Sequence, residues 1–234
     1  MPFSDVNERV TEIRGLIADA VKRGGHGQEV RIIAVTKTHG ADAVEAAWRA
    51  GIIDVGENKV QEALDKQDAL TGVPEKLWAG GVRWHLIGHL QRNKVKFLER
   101  FSLLHALDSS RLADAVHEFG ERRGRPMDAL LQVNIAGEET KGGFEASDVK
   151  REAERLRSLG GVRITGVMTM APFDAAESVL RSVFAGARAA RERLIEAGHP
   201  AHELSMGMSG DFAIAVEEGA TMVRLGTVLF GARA

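Results

Sequence analysis

The chain of 234 residues is 44% hydrophobic and 27% charged, a composition that excludes an intrinsically disordered protein. Its formal net charge of −2 gives no electrostatic basis for nucleic acid or an anionic membrane as a main partner. The absence of cysteine excludes disulfides, thiolate catalysis and cysteine-bound metals, and the 8 histidines show no ligand spacing, so we expect no metal site.

Hydropathy along the chain predicts a cytoplasmic protein. No apolar stretch approaches the roughly 18 residues of a membrane-spanning helix. The opening stretch MPFSDVNERV carries acidic residues early and has no apolar core, which is unlike a secretory signal.

The first predicted element is a helix within residues 1–25. Apolar residues recur there at the three- and four-residue spacing of one helix face. The residues expected on that buried face are Val6, Val10, Ile13, Leu16, Ile17 and Ala20.

Eight short apolar runs follow, and each is predicted to be a strand. They begin at Ile32, Ile52, Trp84, Leu103, Ala129, Ile164, Glu203 and Met222. Helical patterns separate these runs, and three of them are the clearest. Their predicted buried faces consist of Leu112, Val116 and Phe119 in the first, Val149, Ala153 and Leu156 in the second, and Leu180, Val183, Phe184, Ala187 and Leu194 in the third. Ser109 or Ser110 is expected to cap the first of these three helices.

Strands that alternate with helices predict right-handed crossovers and a parallel sheet. Eight such units in a chain near the usual ~250 residues predict a closed (β/α)8 TIM barrel. Residues 1–234 would then form a single domain, with the N-terminal helix packed on the barrel. The alternative is an open doubly wound sheet, but that fold normally has a glycine-rich turn after its first strand, and this chain has TKTHG there.

Unusual polar residues gather at the predicted strand ends, where barrel enzymes place their chemistry. The residues that follow the last two strands predict a phosphate site, because barrels commonly hold phosphate there and helix N-termini bind anions. Ser209 and the Gly226-Thr227 pair would form it. The alternative is that Ser209 only caps the next helix and Gly226 only forms a turn.

Lys37 and Arg224 indicate the chemical class of the predicted ligand. Lysine is rare where a strand leaves a core, but a lysine amine in a partly desolvated pocket is nucleophilic and forms a Schiff base with an aldehyde. Arg224 interrupts an apolar strand, and because helices cover the outer face of a barrel, its side chain is expected to point inward. An aldehyde that also carries a phosphate and a ring is pyridoxal 5′-phosphate (PLP). Taken alone, Lys37 could instead extend to solvent.

Seven stretches carry a resemblance to a known family: AVTKTHG, DVGENKVQEALDK, WHLIGHLQRNK, LHALDS, GVMTMAP, ELSMGMSGDF and MVRLGTVLFGAR. Together they resemble the YggS/PROSC family of pyridoxal-phosphate homeostasis proteins, from about Ile32 to Arg233. The resemblance implies a barrel like the N-terminal domain of alanine racemase, with PLP at its mouth.

The resemblance also implies roles for individual residues. Lys37 would form the imine with PLP, and Arg224 would face the pyridine nitrogen. The phosphate would be held by Ser209 with Gly226 and Thr227. Asn58 would line the pocket.

The residues favour a cofactor carrier over an enzyme. An arginine only donates hydrogen bonds, so it favours an unprotonated pyridine, which is a poor electron sink. Alanine racemase uses a tyrosine as its second base, whereas this sequence contains 0 tyrosines and we expect no second domain. We therefore expect a monomer that serves intracellular PLP homeostasis, releases PLP to free amino acids or amines by transimination, and delivers it to apo-PLP enzymes.

Two other functions remain open. A racemase-like or aldolase-like PLP enzyme of low activity would use His85, His89 or Asp108 as an acid or base. A protein-binding scaffold without a cofactor would leave Lys37 and the phosphate loops without a role.

Overall fold

The structure is a computed structural model that describes residues 3–71, 81–138 and 141–231. The elements in chain order are α1 (Val6–Gly24), β1 (Arg31–Val35), α2 (Ala41–Arg49), β2 (Asp54–Glu57), α3 (Val60–Leu70), β3 (Arg83–Leu86), a 3-10 helix (Arg92–Arg100), β4 (Leu103–Leu107), α4 (Ser110–Arg122), β5 (Met127–Asn134), β6 (Phe144–Glu145), α5 (Val149–Leu156), β7 (Val162–Met168), α6 (Glu177–Glu196), β8 (Glu203–Ser205), α7 (Phe212–Glu217), β9 (Met222–Leu225) and α8 (Thr227–Phe230).

The strands form a closed parallel barrel. The ring order is β1-β2-β3-β4-β5-β7-β8-β9, and the ring closes where β9 pairs with β1. The predicted (β/α)8 barrel is confirmed, and the open doubly wound sheet is wrong. The short strand β6 pairs only with β5, outside the ring. Its 2 residues are too few for a periodicity signal, so the sequence did not predict it.

All eight predicted strands are present, although β2 begins at Asp54 rather than at Ile52. Ile52 is buried at 3% exposure but lies before the strand. The apolar run there marks burial, which a loop residue shares with a strand residue.

Two apolar layers result from the alternation of side chains along the strands. On β1, Ile33 faces the barrel interior, whereas Ile32 and Ala34 face the surrounding helices. The interior layer is small and consists of Ile33, Leu103, Ala106, Leu130, Met168 and Met222. Most of the apolar core lies between the barrel and its helices.

The predicted buried faces of α4, α5 and α6 are confirmed, and Ser109 caps α4 by accepting a hydrogen bond from the N–H of Leu112. On α1 the prediction is wrong for Leu16, which is 47% exposed next to Ile17 at 7%. The helix packs on α2, α7 and α8 from one side, so the edge of its apolar stripe stays in solvent. Within the described ranges, every helix is too short or too polar to span a lipid bilayer.

These neighbours on α1 provide a matched stability test. We expect Ile17→Ala to lower the free energy of unfolding by about 2–5 kcal/mol, because it leaves a cavity in the core. Leu16→Ala should change it by less than about 0.5 kcal/mol, since it removes mostly solvent-exposed surface. Urea unfolding of the two variants measures both values, and equal losses would contradict the packing of α1.

Candidate functional site

The candidate residues lie in or directly after four neighbouring strands, β8, β9, β1 and β2, whose C-terminal ends lie side by side at one half of the barrel mouth. They are Lys37, Asn58, Ser209, Arg224, Gly226 and Thr227. Far apart in the sequence, these residues are brought to one place by the closure of β9 on β1.

The loops after β8 and β9 contact each other and the end of β1. Ser209 Oγ accepts a hydrogen bond from the N–H of Val228 in α8, at 3.4 Å. A Cβ added at Gly226 would lie 3.3 Å from the carbonyl oxygen of Val35, so only a residue without a side chain leaves this contact relaxed. Ser209 is not the cap of the next helix, because Asp211 occupies that position. The capping alternative for Ser209 is therefore wrong.

Two glycines allow this close packing at the mouth. Gly207 has φ of +91°, and a Cβ there would lie 2.6 Å from the Cβ of Ala215. A Cβ on Gly88 would lie 2.4 Å from the carbonyl oxygen of Asn58, so Gly88 permits the backbone at the end of β2 to approach the loop after β3. Both positions require glycine, and both support loops that carry candidate residues.

Lys37 lies in a tight turn directly after β1. The N–H of His39 donates to the carbonyl oxygen of Thr36 at 3.0 Å, which closes the turn around Lys37 and Thr38. Lys37 is half-buried, and its side chain makes no hydrogen bond or ion pair with the part of the chain that the structure describes. The His39 ring packs on Phe3 and Phe230 with centroid distances of 5.4 Å and 5.5 Å, which ties the turn to α8.

Arg224 lies in the barrel interior and is 5% exposed. Its NH1 donates to the carbonyl oxygen and to Oγ of Ser205, both at 2.7 Å, and its NH2 donates to the carbonyl oxygen of Thr169 at 2.9 Å. Burial lowers the pKa of Arg224 to about 10, although the charge of Asp211 acts in the opposite direction. The guanidinium is therefore protonated at neutral pH and only donates.

A chain of buried hydrogen bonds continues from Ser205 across the barrel. Ser205 Oγ lies 2.8 Å from Nδ1 of His105, and Nε2 of His105 lies 2.9 Å from Nδ1 of His85. Nε2 of His85 lies 2.8 Å from Oδ1 of Asp54, whose Oδ2 accepts from Arg83 at 2.6 Å. His85 is a candidate acid or base from the sequence, but no sequence signal indicates His105, Ser205 or Asp54, because nothing in their spacing relates them to His85.

The direction of every bond in this chain is set by its carboxylate end, because Asp54 only accepts and both histidines are neutral. His85 therefore donates from Nε2 to Asp54 and accepts at Nδ1 from Nε2 of His105. His105 in turn accepts at Nδ1 from the hydroxyl of Ser205, whose Oγ also accepts from Arg224. The chain is thus polarised from a buried cation to a carboxylate.

The electrostatics agree with neutral histidines and an ionised Asp54. Burial, with the repulsion that a second proton on the neighbouring His85 would cause and the nearby charges of Arg224 and Arg31, holds the pKa of His105 well below its usual value. Burial also lowers the pKa of His85. Burial alone would raise the pKa of Asp54, but hydrogen bonds from His85 and Arg83 lower it.

A second polar pair lies on the opposite half of the mouth. His89, after β3, places Nδ1 2.6 Å from Oδ2 of Asp108, after β4. The His89 side chain is 70% exposed, whereas that of Asp108 is 7% exposed. Among the described residues, no group of three or more His, Asp or Glu side chains is placed to hold a metal ion.

The chain is similar to known proteins over nearly its whole length. The family described as "Alanine racemase, N-terminal domain" matches residues 18–234. A pyridoxal phosphate homeostasis protein of Aquifex aeolicus is 38% identical, with 97% of each chain covered. The protein of the same name from Escherichia coli K12 is 33% identical, with 99% of this chain and 98% of that one covered.

Solved structures show the same similarity. PipY of Synechococcus elongatus with PLP bound has a TM-score of 0.82 and 37% identity, covering 97% of this chain and 100% of that chain. D-threonine aldolase from Filomicrobium marinum has a TM-score of 0.72 at 17% identity, covering 98% of this chain and 61% of the aldolase, and this likeness shows the fold alone.

The buried histidines predict a loss of stability in mild acid. Their folded pKa values lie below those of unfolded histidines, near ~6.5, so the unfolded state binds more protons as the pH falls below that value. We expect the free energy of unfolding to fall there by at most about 1.4 kcal/mol per pH unit for each histidine. Urea unfolding between about pH 7.5 and about pH 5 measures this slope.

The variants His105→Gln and His202→Gln provide the comparison. The first removes a buried histidine, so its slope should be shallower than that of the native protein. The second replaces an exposed histidine and should keep the native slope. An unchanged slope in His105→Gln would contradict the conclusion that the buried histidines are neutral.

Proposed function

This chain belongs to the pyridoxal phosphate homeostasis protein family, and on that premise we propose that it holds PLP at the barrel mouth through Lys37. The supporting observation is that the end of β1 and the Lys37 turn meet the segment after β9, through the contacts of Gly226 with Val35 and of His39 with Phe230. The loop after β8 joins the same segment through the hydrogen bond of Ser209 with Val228. The amine of half-buried Lys37 has no hydrogen-bond or ion-pair partner within the described ranges, and such an amine near hydroxyl and backbone donors suits a phosphorylated aldehyde.

The phosphate would be bound by the loops after β8 and β9. Ser209 offers its hydroxyl, and Gly226 and Thr227 offer backbone N–H groups, with the Thr227 side chain exposed at the mouth. Such neutral donors bind a phosphate without adding charge. Asn58, half-buried at the end of β2, would line the pocket beside Lys37.

Arg224 would face the pyridine ring with those N–H donors that do not already bond to the protein. NH1 and one N–H of NH2 are committed to Ser205 and Thr169, whereas Nε and the second N–H of NH2 have no acceptor among the residues described. A cation fixed in this way keeps a proton off the pyridine nitrogen, which weakens the ring as an electron sink.

This arrangement favours a carrier that buffers PLP and delivers it. PLP would supply an aldehyde with which the Lys37 amine forms a Schiff base, with loss of water. A free amino acid or another amine would then displace Lys37 by transimination and carry the cofactor away. The sequence has 0 tyrosines to act as a second base, and His85 is committed to the buried chain below Arg224. Amines and apo-PLP enzymes are then the recipients.

A second candidate function, a racemase-like PLP enzyme of low activity, is favoured by the His89–Asp108 pair. A histidine oriented by a carboxylate is a common general base. It lies on the half of the mouth opposite the Lys37 turn, so it could serve a bound amino acid only across the opening.

The attachment of PLP is tested by visible absorbance. Purified protein mixed with PLP should turn yellow, and borohydride should fix the group on the peptide that contains Lys37. Lys37→Ala should give no band, whereas Lys150→Ala, at an exposed position on α5, should match the native protein. A band of native strength in Lys37→Ala would place the attachment elsewhere.

Delivery and catalysis are separated by two measurements on the loaded protein. It should restore activity to an apo-aminotransferase after removal of free PLP, since the cofactor exchanges between amines. In deuterated water the loaded protein should exchange the Cα proton of amino acids only very slowly. The variant His89→Ala should not lower this exchange rate further. Turnover-level exchange that His89→Ala abolishes would instead support the enzyme.

A further inference from the structure

The turn that carries Lys37 is strained. Thr38 has φ of +71°, and it holds the third position of a turn that the His39-to-Thr36 hydrogen bond closes. Turns with positive φ at that position favour glycine. A β-branched residue in this conformation is an outlier that persists only where surrounding contacts enforce it.

Charged side chains from β2 and α3 supply those contacts. Nζ of Lys66 donates to the carbonyl oxygen of Thr36 at 2.7 Å, and the N–H of Thr38 donates to Oε1 of Glu62 at 2.5 Å. These two groups belong to the peptide planes on either side of the Lys37 Cα. The backbone of Lys37 is therefore held from both directions.

The holding residues form one connected network. Lys66 donates to Glu57 at 2.5 Å and to Glu62 at 3.1 Å, and the Thr36 hydroxyl also donates to Glu57. The side chain of Glu57 is fully buried, and that of Lys66 is 7% exposed. We call Glu57, Glu62 and Lys66 the turn brace.

The turn brace is a costly arrangement for stability alone. A buried ion pair often contributes no more than an apolar replacement would. Burial raises the pKa of Glu57 against the hydrogen bonds from Lys66 and Thr36, and Glu57 Oε2 makes no hydrogen bond within the described residues. Neither feature makes the turn brace a strong stabilising element, so its contacts with the Lys37 turn indicate its role.

We propose that Glu57, Glu62 and Lys66 are positioning residues that hold the strained turn and thereby aim the Lys37 amine at the PLP aldehyde. The inference rests on the proposed function of Lys37 and adds the residues that act through it. Without the brace, Thr38 relaxes to negative φ, the peptide planes beside Lys37 rotate, and its amine leaves the reactive position.

The first experiment needs no cofactor. Amide hydrogen exchange of the free protein should show the Thr38 N–H exchanging about tenfold faster in Glu62→Ala than in the native protein, because its acceptor is gone and the strain is released. Asp65→Ala removes the same charge from the exposed side of the same helix and should leave this exchange unchanged. Native exchange in Glu62→Ala would overturn the brace.

The second experiment measures how fast the visible band forms on mixing with PLP. Glu62→Ala should be slower by on the order of tenfold, with Asp65→Ala at the native rate. The double variant Glu62→Ala with Thr38→Gly should recover to within about threefold of native, because glycine adopts positive φ without strain. A merely destabilising loss of Glu62 would not be rescued by glycine.

The outcomes separate this inference from the proposed function. A double variant as slow as Glu62→Ala, or a native rate in Glu62→Ala, overturns the positioning role. If Lys37→Ala retains the band, the proposed attachment fails, and the amide exchange of Thr38 still decides whether the brace holds the turn.

Discussion

A positive charge buried inside the barrel is the constraint on which the rest of the site depends. Arg224 lies where an unpaired charge would cost several kcal/mol, and three acceptors on Ser205 and Thr169 offset that cost. The hydrogen bonds continue from Ser205 through two neutral histidines to Asp54, so this hydrogen-bond chain connects β9, β8, β4, β3 and β2. A one-residue slip of any of these strands would turn its member outward, so the chain also specifies their register.

The mouth has two halves with different character. On one half, β8, β9, β1 and β2 bring the loops that we propose for PLP into contact, and the Lys37 turn is held by the brace below it and by the rings of Phe3 and Phe230 beside it. On the other half, His89 stands largely in solvent. In our proposal the first half holds the cofactor, and the second leaves an approach for an incoming amine.

The fold by itself does not decide between a carrier and an enzyme. A barrel of this kind also occurs in D-threonine aldolase at 17% identity, and one fold commonly hosts several functions. The choice rests on residues in the interior and at the mouth. Arg224 is fixed as a donor, His85 is committed to Asp54, and the sequence contains 0 tyrosines. In our proposal these features weaken carbanion chemistry and leave binding and exchange intact.

The sequence by itself determined the eight-stranded barrel, most helix faces and the polar residues at the strand ends, because periodicity and chain breaks are local signals. Only the tertiary structure decided which distant groups meet. His85 pairs with His105 20 residues away, and His105 pairs with Ser205 100 residues away. The position of Asp211 before α7, the exposure of Leu16 and the turn brace also depend on how neighbouring elements pack. The closure of the barrel creates these contacts, and no local pattern encodes a partner that lies on another strand.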